Sequence, residues 1–209
     1  MCYNRFDERG NRMKNISDSV ADMLWTQGII QEDDIDKCKY GINIFFSSFF
    51  EIFSILLIAA FIGNFIETLL LFGAFIPLRI YAGGYHADTK MKCYLISLGM
   101  YGVLCIMTKY IPYNIYQTIN VFCTVISSII VLMKAPVIHS NKNVNSIERK
   151  YYRKFSIEIC LIETVIILLL TAVFPESEMV LSLTVGQTSV VVSMLAAEIK
   201  STLVKNKIV

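Results

Sequence analysis

Between positions 77 and 93 the chain reads Pro-Leu-Arg-Ile-Tyr-Ala-Gly-Gly-Tyr-His-Ala-Asp-Thr-Lys-Met-Lys-Cys, and Arg79, Gly83, Gly84, His86 and Cys93 are its chemically equipped residues. An imidazole beside a thiol is a base beside a nucleophile: the histidine takes the proton and the thiolate attacks a carbonyl. Lys90, Lys92 and a protonated His86 favour the thiolate of Cys93. Gly83 and Gly84 can adopt φ > 0 and let backbone approach a substrate, with their amides as oxyanion donors. The same pair reads equally well as a helix C-cap and turn. Taken singly, His86 is an ordinary interfacial histidine. Cys93 alone is a buried structural thiol, the reading given to Cys2, Cys38, Cys105, Cys123 and Cys160. The long apolar runs on either side offer no packing reason for the mixture.

Spacing constrains the pair. Seven residues of continuous helix place His86 and Cys93 on one face but about 10.5 Å apart along the axis. Base and nucleophile need about 3 Å, so the chain between them must break. Asp88 is the expected N-cap, starting a helix at Thr89 with Cys93 in its second turn. His86 then belongs to the preceding loop and folds back over the helix start.

The elements that position this segment are membrane helices. Hydrophobic residues make up 55 % of the 209, and mean hydropathy is +0.57, above the apolar share of a soluble domain. The expected fold is all-α: a polytopic cell-membrane protein with six crossings near residues 40–62, 65–78, 93–107, 115–133, 157–174 and 179–199. Gly63 with Asn64, the Gly83 pair, Pro112 with Asn114, Pro136 and Pro175 punctuate them. Residues 1–39 form a polar lead, with no cleavable signal peptide expected. Within it, Met13, Ile16, Val20, Met23 and Leu24 recur at helical spacing and predict an amphipathic helix stopping near Gly28. That helix reads as interfacial or as packed on the bundle, with equal weight. Residues 40–209 form the transmembrane domain and carry the catalytic segment 79–93.

Basic residues set the orientation. They crowd the lead (Arg5, Arg9, Arg12, Lys14, Lys37, Lys39), the 79–93 segment, the region from Lys134 to Lys154 and the C-terminal tail. The intervening connections hold Lys109 alone. By the positive-inside rule both termini and the His86–Cys93 segment face the cytoplasm. The second crossing spans only about 21 Å at 1.5 Å per residue, so Arg79 and the glycines are expected in a recessed cavity open to that side. Glu51, Glu67 and Glu163 lie within crossings, where carboxylates mark function by default. Glu51 is the preferred cavity-lining candidate, and pairing with a neighbouring helix is its alternative.

His86 and His139 are the only histidines, and neither a His-Glu-x-x-His motif nor a Cys-x-x-Cys pair occurs. No metal, no cofactor and no nucleic-acid partner are expected. The loop from Lys134 to Ser156, with Arg149, Lys150, Arg153 and Lys154 around Tyr151 and Tyr152, reads as topology signal and contact with anionic membrane lipid. Exposed small and aromatic helix faces leave a homodimer open.

The pattern Arg79, Gly83-Gly84, Tyr85-His86-Ala87, then Cys93 after six intervening residues, resembles the accessory gene regulator protein B family. These are integral-membrane cysteine endopeptidases of Gram-positive quorum-sensing systems. Length, helix layout and the basic loop extend the resemblance over most of the chain, although only the Arg-to-Cys motif is specific. The resemblance implies that His86 and Cys93 are catalytic and that Arg79 and Gly84 support activity. It implies a substrate: a short precursor peptide with an internal cysteine and an acidic C-terminal tail, cut near its C-terminal end and closed into a thiolactone. It also implies that the basic loop, Arg149 and Lys150 included, engages that tail. The alternative of another class is a small membrane transporter or scaffold using the intramembrane glutamates.

Overall fold

A computed structural model describes residues 16–31, 34–85, 90–137 and 145–206. Among these residues the fold is helical and no strand forms: α1 (Ile16–Thr26), α2 (Ile35–Ile62), α3 (Phe65–Ala82), α4 (Lys90–Tyr110), α5 (Tyr116–Lys134), α6 (Ser146–Val173) and α7 (Glu178–Asn206). Among the described residues five stretches are long and apolar enough to cross a membrane: Phe45–Ile62, Phe65–Ala82, Tyr113–Lys134, Ser146–Val173 and Glu178–Leu203. The remaining expected crossing falls on α4, whose apolar run Tyr94–Thr108 is shorter.

The chain divides into two compact units, Met1–Ile55 and Leu56–Val209. In the first, α1 ends two residues before Gly28, which takes φ 72° as a stop residue can. Lys39 on α2 reaches Asp18 at 3.5 Å and Asp22 at 3.4 Å. Partial burial opposes its charge, but the hydrogen bond and charge of Asp22, then Asp18, raise its pKa above the usual lysine value.

In the second unit α3 packs most extensively on α7, and α5 lies against both α6 and α7. Its core joins Leu78 and Ala82 of α3, Val131 of α5, Ala135, Cys160 of α6, and Val190, Val191 and Met194 of α7. Gly186 lets the two principal helices approach, since a Cβ there would strike the carbonyl of Leu71.

Two expectations are corrected. The second crossing does not end at Leu78: α3 continues to Ala82, because Leu78 and Ala82, one turn apart, are both fully buried in that core. Eighteen residues span about 27 Å, close to the hydrocarbon thickness. Shortness therefore does not recess Arg79, and the cavity argued from it loses its ground. The helix of the fifth crossing begins at Ser146, eleven residues before the apolar run expected from 157, so Arg149, Lys150, Arg153 and Lys154 are helical and not in a loop. A capping box explains the early start: Asn145 caps the first turn and the Glu148 side chain accepts from the Asn145 N–H at 3.2 Å.

Candidate active site

Arg79 stands in the last turn of α3, where a cation suits the helix dipole. Its guanidinium donates from Nη1 to the carbonyl of Gly83 and from Nη2 to that of Tyr85. The planar fork thus bridges two carbonyls just beyond the helix, which a lysine's single ammonium cannot reproduce. Arg79 is half-buried, as are Gly83 and Tyr85, while Gly84 is buried.

The backbone between them is held on its other sides. Gly83 N–H donates to the Arg79 carbonyl at 3.2 Å, Gly84 N–H to Val137 at 3.3 Å, and Val137 N–H to Ala82 at 2.9 Å. An isolated parallel bridge between Gly83 and Val137 results. Tyr85 N–H reaches α7, meeting the Ser193 carbonyl at 2.9 Å and Oγ at 3.2 Å. Lys200 Nζ lies 4.9 Å from the centre of the Tyr85 ring, a cation–π distance.

Both glycines are required. Gly83 has φ 76°, ψ −152°, a region essentially reserved for glycine, and a Cβ there would strike the Val137 carbonyl. Gly84 has φ 131°, and its Cβ would meet Arg79 Nη1 and Ser193 Oγ. Of the two readings open in the sequence, cap and turn is the one observed. With the Gly83 and Gly84 amides bonded to carbonyls of the fold, neither is an oxyanion donor in this arrangement.

Arg79, Gly83 and Gly84 are therefore brought together. His86 lies outside the described residues, as does Asp88. Cys93 is the fourth residue of α4, and of its side chain nothing is described. Arg149 and Lys150 are exposed on the first turns of α6. The next turn meets the segment through Tyr81, whose ring stacks on Phe155 at 5.3 Å and 23° and also contacts Tyr151 and Tyr152. Arg153 donates to the carbonyls of Ala135 at 3.2 Å and Leu132 at 3.4 Å, tying α6 to the end of α5. Glu51 is half-buried on α2, in the other unit, and Glu67 is half-buried on α3.

Sequence reasoning passed over Val137, Ser193 and Lys200. Ser193 lies 108 positions from Tyr85, and a serine within an apolar helix carries no signal of such a contact. Val137 follows Pro136, and that proline was the one available hint.

A family model described as accessory gene regulator B matches residues 17–196. Putative AgrB-like protein 1 of Clostridium perfringens is 26 % identical over 132 residues, 61 % of this chain and 67 % of that protein. Accessory gene regulator protein B of Staphylococcus aureus is 27 % identical over 158 residues, 76 % of this chain and 83 % of its own length. Protein FsrB of Enterococcus faecalis is 35 % identical over 82 residues, 38 % of this chain and only 34 % of that protein. No solved structure matches.

Proposed function

The chain belongs to the accessory gene regulator B family, and from that premise we propose that it is a membrane-embedded cysteine endopeptidase that matures a quorum-sensing peptide. The observation that carries the reading is the clamp on residues 83–85. Arg79, Val137 and Ser193 hold the backbone up to the residue bonded to His86, and a base acts only from a fixed position. Such a clamp suits a chain that must present a loop histidine to a thiol on the next helix. We further infer six crossings, with α4 as the third, and a cytoplasmic catalytic segment, on the alternation of basic residues.

In the proposed reaction the Cys93 thiolate attacks a carbonyl near the C-terminal end of the precursor. The C–N bond breaks as the His86 imidazolium gives its proton to the leaving amine, and a Cys93 thioester remains. His86 then takes the proton of a cysteine thiol within the same peptide. That sulfur attacks the thioester carbonyl, the Cys93–acyl bond breaks, and a thiolactone leaves. The second step exchanges one thioester for another at nearly constant bond energy, whereas making a thioester from an amide is uphill. Removal of tail or ring must draw the sequence forward. The oxyanion donor comes from outside the Gly83–Gly84 turn.

The acidic tail of the proposed substrate is matched by Arg149 and Lys150, exposed on α6 beside the Tyr81 cluster. A second reading, a small transporter or scaffold, is favoured by one observation: both carboxyl oxygens of Glu163 are buried without a partner among the described residues. The two separate on one experiment. Co-expressed with a candidate precursor, the wild type yields cyclic peptide and Cys93→Ala yields intact precursor at equal membrane level, as does His86→Ala. Normal processing by Cys93→Ala eliminates the thiol mechanism.

A further inference from the structure

We propose that Ser193 is a positioning residue for the catalytic segment: α7, through one serine, holds the Tyr85 backbone from which the chain enters His86. The inference rests on the thiol reading above. Tyr85 is bonded through its carbonyl carbon to the His86 nitrogen, so whatever holds the Tyr85 backbone fixes the point at which the chain enters His86. Three groups do so. Arg79 Nη2 fixes the Tyr85 carbonyl, Lys200 sits over its ring, and Ser193 alone takes its N–H, through both the main-chain carbonyl at 2.9 Å and Oγ at 3.2 Å.

Three other hydroxyls of α7 behave differently from Ser193. A serine or threonine inside a helix ordinarily bonds back to the carbonyl four residues earlier. Ser182 does so to Glu178 at 2.8 Å, Thr184 to Val180 at 3.2 Å and Thr188 to Thr184 at 2.7 Å. Ser193 Oγ instead accepts from a segment remote in sequence, and it borders the space above Gly84, where an added Cβ would come to 2.9 Å of it. Glycine at 84 and a small hydroxyl at 193 are therefore one fitted contact. An oxygen at this point holds Tyr85, while a larger apolar group presses on the turn that Arg79 secures.

Ser193→Thr and Ser193→Val test this, because they have the same shape and differ in the hydroxyl. The full-length proteins in phospholipid vesicles are assayed on a candidate precursor, and Cys93 alkylation by iodoacetamide at neutral pH is followed by peptide mapping. Valine removes only the Oγ arm of a shared bond, since the carbonyl arm at 2.9 Å stays, so the low end of an ordinary hydrogen bond applies, about a threefold effect. The valine variant is expected to lose about that much kcat with KM unchanged and to alkylate Cys93 more slowly, while the threonine variant keeps most of both. Equal losses in the two variants, or no loss in either, overturn the proposal. Should Cys93→Ala still process the precursor, the thiol reading falls and this inference with it. A dead Cys93→Ala beside a fully active Ser193→Val removes the inference alone.

Discussion

Two polar regions of the second unit are built on opposite terms. Around Gly83–Gly84–Tyr85 every backbone N–H is bonded, and the carbonyls of Gly83 and Tyr85 are both taken by one guanidinium. Deeper among α5, α6 and α7 runs a seam of Asn120, Thr124, Ser127, Ser128, Cys160, Glu163, Thr164, Gln187 and Thr188. Part of it is knitted: Ser128 Oγ lies 2.6 Å from Thr164 Oγ1, Ser127 donates to Thr188 at 3.3 Å, and Gln187 Nε2 reaches Thr164 at 3.1 Å and Cys160 Sγ at 3.6 Å. The rest is not. Both side-chain atoms of Asn120, Thr124 Oγ1, Gln187 Oε1 and both Glu163 oxygens have no partner among the described residues. An unmade bond costs a buried group about 1–3 kcal/mol. The difference teaches that polarity in this bundle serves two ends. In the turn it defines a geometry; in the seam it lowers stability, and water is its natural complement.

The sharpest way to break the comparison is to put a side chain where the turn has none. Gly83→Ala forces alanine into a glycine-only backbone region and against the Val137 carbonyl, and a backbone obstacle cannot rotate away. Strain of this kind costs about 3 kcal/mol. Little active protein should remain, read as lost precursor cleavage together with a lowered melting temperature in detergent. A stable, active Gly83→Ala protein means that the turn is not as described.

Arg79 is next. Arg79→Ala leaves the Gly83 and Tyr85 carbonyls without their charged donor, worth about 2 kcal/mol. Arg79→Lys should recover less than half of that, since one ammonium replaces a planar fork. The measurement is thermal unfolding set beside cleavage rate. If lysine restores both fully, the bidentate bridge is not what holds the turn.

Much of this architecture was legible in the sequence, for identifiable reasons. Apolar runs and the punctuating glycines and prolines placed the helices, and the odd residues at 79–84 pointed to the turn. What escaped were consequences of tertiary contact. The extension of α3 through Ala82 depends on burial against α7, where periodicity says nothing about the partner. The early start of α6 was hidden because Arg149–Lys150 and Arg153–Lys154 read as loop, although Asn145 and Glu148 had the spacing of a capping box. Ser193 gave no sign at all. The roles proposed for His86 and Cys93 came from residue chemistry and resemblance.

In the seam the comparison predicts the opposite sign. Glu163→Met exchanges two unpartnered oxygens for an apolar side chain of similar length, so stability should rise by about 1 kcal/mol. Cleavage should be unchanged, because the residue is remote in sequence from the turn and makes none of its bonds. A higher melting temperature in detergent with intact processing supports the contrast. A drop in stability would show that Glu163 has a partner, and the seam would then resemble the turn.

The smallest effect belongs to the ion pair beside the turn. Lys134 at the end of α5 pairs with Glu198 on α7, and both side chains are more than a third exposed, at 39 % and 47 %. Solvent screens such a pair, and exposed pairs are worth about 0.2–1 kcal/mol before any further discount. Glu198→Gln should therefore shift the melting temperature only slightly at low salt and not at all at high salt. Cleavage should hold, because the grip on α7 at this level runs through Tyr85 N–H and Ser193. A Glu198→Gln variant that loses activity as heavily as Arg79→Ala would move that grip from the backbone to surface charge, and the comparison between the two regions would have to be redrawn around Lys134.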